Sequence, residues 1–256
     1  MKHGICLQSI VAIREKPSEK SEMTNQMLFG DLFFVNEILG EWYLINTVDD
    51  SYFGWVNSLQ LHLFSEEEFR KYTADDRVYS LTDSALSTSF DKTISFRFTL
   101  GSRLPFYENE SFKIGDKLYN YKGKFIEKKS DIKLIDISKK YLGSPYLWGG
   151  RSIFGIDCSG LVQMSFKLKG KFLPRDASMQ VKLGKTINFI EEAQEEDLAF
   201  FENEEGKITH VGILLDNKRV IHASGEVKID DIDHNGIFNK SQNKYTHKLR
   251  IIKRIE

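Results

Sequence analysis

Tyr146-Leu147-Trp148-Gly149-Gly150, then seven residues, then Cys158-Ser159-Gly160-Leu161-Val162: this stretch decides how the chain is read. A glycine-bearing loop delivers a cysteine to the first turn of an amphipathic helix, predicted from Cys158 to Lys169 and stopped by Gly170. A helix N-terminus presents unpaired N–H groups and partial positive charge, which favour a thiolate. Two histidines follow, His210 in Ile208-Thr209-His210-Val211-Gly212 and His222 in Val220-Ile221-His222-Ala223-Ser224. Both segments read as β-strand. A thiol on a helix tip, facing imidazoles on neighbouring strands, points to hydrolysis by a cysteine nucleophile.

Around that core the pattern is helices first and an antiparallel sheet afterwards, an α+β class. A helix is predicted over Asp131–Leu142, with Ser130 as its cap and Gly143-Ser144-Pro145 ending it. A shorter one follows Arg175-Asp176 through Gln180 to Leu183. Strands are predicted at Asp197–Phe201, Lys207–Leu215 and Arg219–Ala223, with Leu249–Ile255 closing the sheet. This domain takes in residues 127–256.

The front half reads differently. Phe33-Phe34-Val35, Trp42-Tyr43-Leu44-Ile45 and Phe53-Gly54-Trp55-Val56 are short β-rich runs between turn signals, and they predict a small barrel over residues 1–63. Residues 64–75 are a linker, with a short helix from Ser65 to about Tyr72 capped by Ser65. Ile94-Ser95-Phe96-Arg97-Phe98 alternates apolar and polar residues, and residues 76–126 are read as a second small barrel.

Bulk properties narrow the classes. The 256 residues are 41% hydrophobic and 29% charged, as in soluble globular chains, and the formal net charge of -1 gives no argument for nucleic acid or an anionic membrane. Apolar runs are short, and the Ile5–Ala12 stretch is followed by Arg14, Glu15 and Lys16 without a small-residue cleavage site, so no membrane span or leader is expected. There are two cysteines, Cys6 and Cys158. Cys6 lies in an apolar run and reads as a buried structural thiol. Too few cysteines for a disulfide framework favours a reducing, cytoplasmic compartment.

A cysteine nucleophile needs a base in reach and a group to orient that base. His210 is the candidate base, with Gly212 expected to leave room for close approach to the helix. His222 lies twelve positions on, a spacing that suits a hairpin placing the two rings side by side. It is the candidate orienting residue. His3, His62, His234 and His247 lack such context and receive no role. A zinc site from Cys158, His210 and His222 is the competing reading, but no tight pair of ligands supports it. The reaction is therefore read as needing no metal and no cofactor. Tyr146 is the candidate oxyanion donor beside the Cys158 N–H, while Trp148 either packs or meets substrate. Asp157 caps the helix, binds a substrate ammonium, or does both. Arg175-Asp176-Ala177-Ser178 either lines the cleft or opens a helix.

Asp157-Cys158-Ser159-Gly160 resembles the NlpC/P60 cysteine peptidases. The Tyr146–Gly150 run, Arg175-Asp176-Ala177-Ser178 with Gln180, Asp197–Phe201, Thr209-His210-Val211-Gly212 and Val220-Ile221-His222-Ala223 follow that family's order. The resemblance implies a permuted papain-like domain acting on peptidoglycan peptides at a γ-D-glutamyl bond. Cys158 would be nucleophile, His210 base and His222 the orienting residue. Glu196-Asp197 stands where the family has Gly-Asp, which leaves the tightness of that turn open. The front half resembles bacterial SH3 domains through Arg14–Ser18, Ser21-Glu22-Met23, Gln26, Gly30-Asp31 and Tyr52–Val56. It is similar to the first such domain of γ-D-glutamyl-L-diamino acid endopeptidases, which trim free murein peptides. That likeness implies Glu22 (with Glu15 as alternative), Tyr52 and Asp157 as contacts to a free L-Ala amine. Trp148, Ser159, Arg175, Asp176 and Ser178 complete the substrate-binding candidates. The expected partners are L-Ala-γ-D-Glu-diamino acid peptides, not nucleic acid or membrane. Two other readings stand beside this one: an inactive cell-wall binding protein acting through its SH3-like blocks, and an amidase or acyltransferase on the same scaffold.

Overall fold

The computed structural model describes residues 2–127 and 130–256. They divide into two compact units, one of Met1–Ser130, Trp148–Ile153 and Lys167–Phe172, the other of Asp131–Leu147, Phe154–Phe166 and Leu173–Glu256.

In the first unit, seven antiparallel strands form one sheet: Lys2–Ile5, Ile10–Arg14, Met23–Leu28, Leu32–Leu39, Trp42–Thr47, Phe53–Asn57 and His62–Phe64. It curls around Cys6, Val11, Ile13, Met27, Phe33, Val35, Ile45 and Val56. The helix Glu66–Ala74 follows, held by a capping box between Ser65 and Glu68, and it runs past the expected end at Tyr72. Three two-stranded ladders make the second block: Ser84–Thr88 with Ser95–Thr99, Ser111–Ile114 with Lys117–Asn120, and Tyr79–Ser80 with Phe125–Ile126. Their core residues Phe98, Leu104, Phe112, Tyr119 and Tyr121 pack with Ile5, Phe29, Leu32, Phe69 and Tyr72 in one cluster. The two blocks thus share a core. Met27 serves the first block and Phe29, two residues on, the shared cluster.

The second unit opens with a short helix, Leu134–Ser138, continued by a 3-10 turn over Lys139–Tyr141. This corrects the longer helix expected from Asp131 with Ser130 as cap. Lys133 occupies the cap position without a side-chain capping bond, and the Leu134 N–H instead donates to Glu196 Oε1 at 2.9 Å. The helix Cys158–Leu168 is not amphipathic as expected. Leu161, Val162, Met164 and Ser165 are all fully buried, so it is covered on every side. A seven-stranded antiparallel sheet completes the unit, in the order Lys185–Ile187, Lys244–Arg254, Leu198–Glu202, Ile208–Leu214, Arg219–Ser224, Glu226–Asp233, Gly236–Asn239. Gly236–Asn239 also pairs with Lys244–Arg254, which closes six of these strands into a barrel. The strands Lys185–Ile187, Glu226–Asp233 and Gly236–Asn239 were not expected, and the last strand begins at Lys244 rather than Leu249. Glu196 takes the left-handed conformation, φ 77°, so the turn is kept without glycine. Among the described residues, no helix is long and apolar enough to cross a membrane.

Candidate active site

Cys158 opens its helix, and Asp157 organises the first turn. The Asp157 carbonyl accepts from Leu161 N–H at 2.9 Å, and its Oδ1 accepts from Gly160 N–H at 2.7 Å. Arg175 grips the same carboxylate in a fork, Nη1 to Oδ1 at 2.9 Å and Nη2 to Oδ2 at 2.5 Å, and Nη1 also donates to Ser159 Oγ at 2.8 Å. Both charges are buried, so this pairing offsets a large desolvation cost. Gln180 Nε2 donates to the Ser159 carbonyl at 3.1 Å and to the Pro174 carbonyl at 2.9 Å. The Arg175–Gln180 segment therefore does open a short helix, Ala177–Gln180, while its two long polar ends turn onto the cysteine-bearing turn. Asp176 and Ser178 are exposed on it.

Burial pushes the Cys158 thiol up to about 11, with the Asp157 charge adding to the rise. The N–H of Val211, the Arg175 charge and the N–H of Ser159 pull it back only in part. Desolvation thus works against the thiolate that a helix terminus favours. Val211 directly follows His210, so its bond to the sulfur sets the thiol against that stretch of strand.

His210 and His222 are buried, and His210 Nε2 lies 2.9 Å from His222 Nδ1. His222 Nε2 lies 3.1 Å from Asp230 Oδ2, and Lys228 Nζ stands 3.5 Å from the same oxygen. Burial, then the neighbouring rings of His247 and His222, hold His210 well below the usual imidazole range. Gly212 makes room for its neighbouring strand. A Cβ there would stand 2.5 Å from Val220 Cγ2 and 3.1 Å from His222 Cβ, so its bareness lets the next strand close in. His247, given no role in the sequence, stacks on His210 with centroids 4.1 Å apart and planes at 26°. Burial lowers its pKa to about 4. Asp230 and His247 are the residues that sequence reasoning missed.

Tyr146 is anchored by its N–H to the Gly225 carbonyl at 2.9 Å. Burial and the nearby Cys158 and Asp157 push its phenol up to about 12, so it remains a hydrogen-bond donor. Trp148 is exposed, and its indole N–H donates to Glu22 Oε1 at 2.5 Å. Gly149 makes this approach possible, at φ +76° and with room for no Cβ, which would lie 2.6 Å from the Met23 carbonyl oxygen. Tyr52 packs its ring on the first barrel's core, its N–H bonded to Thr47 Oγ1 at 2.9 Å.

The NlpC/P60 family profile matches residues 143–248, and that of the bacterial dipeptidyl-peptidase SH3 domain matches residues 13–61. A gamma-D-glutamyl-L-lysine dipeptidyl-peptidase of Bacillus subtilis is 32% identical over 219 residues, 77% of this chain and 71% of that protein. A protein of the same name from Bacillus cereus is 28% identical over 228 residues, 79% of this chain and 68% of its own. The fold matches that of an NlpC/P60 family protein from Bacillus cereus, with TM-score 0.82, 22% identity and coverage of 98% and 99% of the two chains. An NlpC/P60 endopeptidase from Photobacterium damselae matches with TM-score 0.73 at 17% identity, over 97% of this chain and 70% of that one.

Proposed function

Because this chain belongs to the NlpC/P60 family of cysteine peptidases, we propose that it hydrolyses the γ-D-glutamyl–diamino acid bond of free murein peptides that begin with L-Ala. Its setting in this proposal is cell-wall peptide recycling in the cytoplasm. The names of the Bacillus relatives support the bond, and one observation carries the chemistry: the Nε2–Nδ1 contact of 2.9 Å between His210 and His222. That contact occupies Nε2 of His210 and leaves Nδ1 to take a proton from the thiol.

Cys158 sulfur attacks the γ-carbonyl of D-Glu as His210 removes its proton. The tetrahedral oxyanion is met by the Cys158 N–H and the Tyr146 phenol. The imidazolium returns the proton to the departing α-amine, leaving a thioester. His210 then takes a proton from water, which attacks the thioester, and L-Ala-D-Glu leaves as the thiol is restored. A free L-Ala amine is preferred in this proposal, on the likeness of the front half to the dipeptidyl-peptidase SH3 domain.

The test is product analysis with L-Ala-γ-D-Glu-L-Lys and its diaminopimelate counterpart. The unmodified chain releases L-Ala-D-Glu and Cys158→Ala does not. Release by Cys158→Ala would reject the proposal. Equal turnover of free and N-acetylated L-Ala peptides would reject the amine preference alone.

A further inference from the structure

We propose that His210, His222 and His247 form a zinc-binding site whose occupancy switches the peptidase off. One nitrogen from each ring lies within 4.8 Å of the others. The rings come from three strands, Ile208–Leu214, Arg219–Ser224 and Lys244–Arg254. Three imidazoles suit Zn2+, a borderline cation that takes nitrogen readily, better than Mg2+ or Ca2+, which take oxygen.

The outer partners fit the same reading. A metal-bound imidazole donates its other N–H to a carboxylate, a hydroxyl or a carbonyl, which fixes the tautomer. Asp230 Oδ2 stands 3.1 Å from His222 Nε2, leaving Nδ1 facing the cluster. Thr246 Oγ1 stands 2.9 Å from His247 Nδ1, leaving Nε2. His247 is half-buried and also lines an open groove with Glu204, Asn235 and Glu202, whose carboxylate is held by Lys248 at 2.8 Å and Arg250 at 3.2 Å, and this groove gives a cation its approach. Zn–N bonds of about 2.0–2.1 Å place tetrahedral nitrogens ~3.3 Å apart, so one ring must close in by roughly 1.5 Å. His247 is the ring with room to move.

Inhibition follows from proton placement and rests on the reading of His210 as the base. A neutral imidazole that ligates through Nε2 carries its proton on Nδ1. The proton now on Nε2 leaves to solvent, and Nδ1 gains one from solvent, with no redox change. Nδ1 then has no lone pair for the Cys158 proton, so attack stops.

The experiment compares the unmodified chain with His247→Phe, which keeps a stacking ring and removes the ligand. Hydrolysis of L-Ala-γ-D-Glu-L-Lys is followed over buffered free Zn2+, each protein scaled to its own metal-free rate. The unmodified chain loses activity, EDTA restores it, and His247→Phe needs about 10–100-fold more Zn2+ for the same loss. Binding is read separately with Co2+ on Cys158→Ala, which removes the thiol as a ligand. The intense visible absorption of four-coordinate Co2+ appears there and disappears in Cys158→Ala/His247→Phe. Equal Zn2+ sensitivity with and without His247, or a cobalt spectrum indifferent to it, would overturn the site. Cobalt bound through His247 in a chain that hydrolyses no peptide would uphold the site and overturn the reaction instead.

Discussion

Asp230 Oδ2 lies 3.1 Å from His222 Nε2, and this one bond sets the direction of the imidazole pair. The bond to His222 holds the Asp230 carboxyl below its ordinary range, so it is an ionised acceptor at neutral pH. His222 must then carry its proton on Nε2 and accept from His210 at Nδ1. The consequence is that His210 keeps Nδ1 for the thiol. In Asp230→Asn the amide offers an N–H or an oxygen, and the tautomer is no longer dictated. We expect kcat to fall about 10–100-fold with KM little changed, and Asp230→Glu to recover part of the loss. Steady-state kinetics beside thermal melts would check this. An unchanged kcat in Asp230→Asn removes Asp230 from the relay.

Arg175 and Asp157 invite a double-mutant cycle. Both are buried, and the guanidinium fork supplies two of the carboxylate's bonds. Arg175→Met leaves a buried carboxylate without its cation and should lower stability by about 3–5 kcal/mol. Asp157→Asn/Arg175→Met should cost clearly less than the sum of the single changes, since neither charge is then stranded. Urea unfolding of the four proteins measures the coupling, and strict additivity would show that the pair does not act as a unit.

Glu196 offers a smaller, signed test. Its φ of 77° is costly for any residue with a Cβ, yet its carboxylate caps the Leu134 N–H at 2.9 Å. Glu196→Ala keeps the strain and loses the cap, so it should destabilise by ~1 kcal/mol. Glu196→Gly loses the cap but relieves about 0.4–1 kcal/mol of backbone cost, so it should lie near the parent. Denaturant midpoints rank the three. If alanine and glycine were equally destabilising, the left-handed backbone would carry no measurable strain.

How far the chain can be read without coordinates depends on what each segment shows. The strand Ile208–Leu214 and the helix from Cys158 are apolar and bounded by glycine or turn residues, so both elements stand out. Glu226–Asp233 does not. Glu226, Asp230, Asp231 and Asp233 give it the look of a loop, and only Val227 and Ile232 anchor it in the core. Asp230 was lost with that strand. His247 was lost because apolarity begins at Leu249, although Tyr245, His247, Leu249 and Ile251 already alternate with polar neighbours. The thiol's surroundings are hidden for a different reason. A helix terminus can be seen in sequence, whereas the desolvation that opposes it depends on burial from every side.

Asp31 shows the same limit, since the Gly30-Asp31 pair reads as a turn and is in fact the centre of a buried charge cluster. Its Oδ1 accepts from Lys167 Nζ at 2.5 Å, its Oδ2 accepts from Leu28 N–H at 3.0 Å, and Arg151 Nη1 stands 3.6 Å away. Burial alone would raise this carboxyl, but the charges of Lys167 and Arg151 and the hydrogen bonds outweigh it and hold it below its ordinary value. A depressed folded pKa contributes stability that is complete above the unfolded value of about 3.9 and is lost as pH falls through the folded value. Asp31→Asn removes the charge at every pH. At about pH 7 it should therefore cost ~3–5 kcal/mol, because Lys167 is left with Asp49 alone, at 3.4 Å. Towards about pH 3 and below, the parent chain begins to lose the same contribution, so the gap between the two proteins should narrow. Unfolding free energies of both proteins across that range decide the matter. A gap independent of pH would mean that the charge on Asp31 contributes nothing, and that the substitution acts only through the shape of the turn.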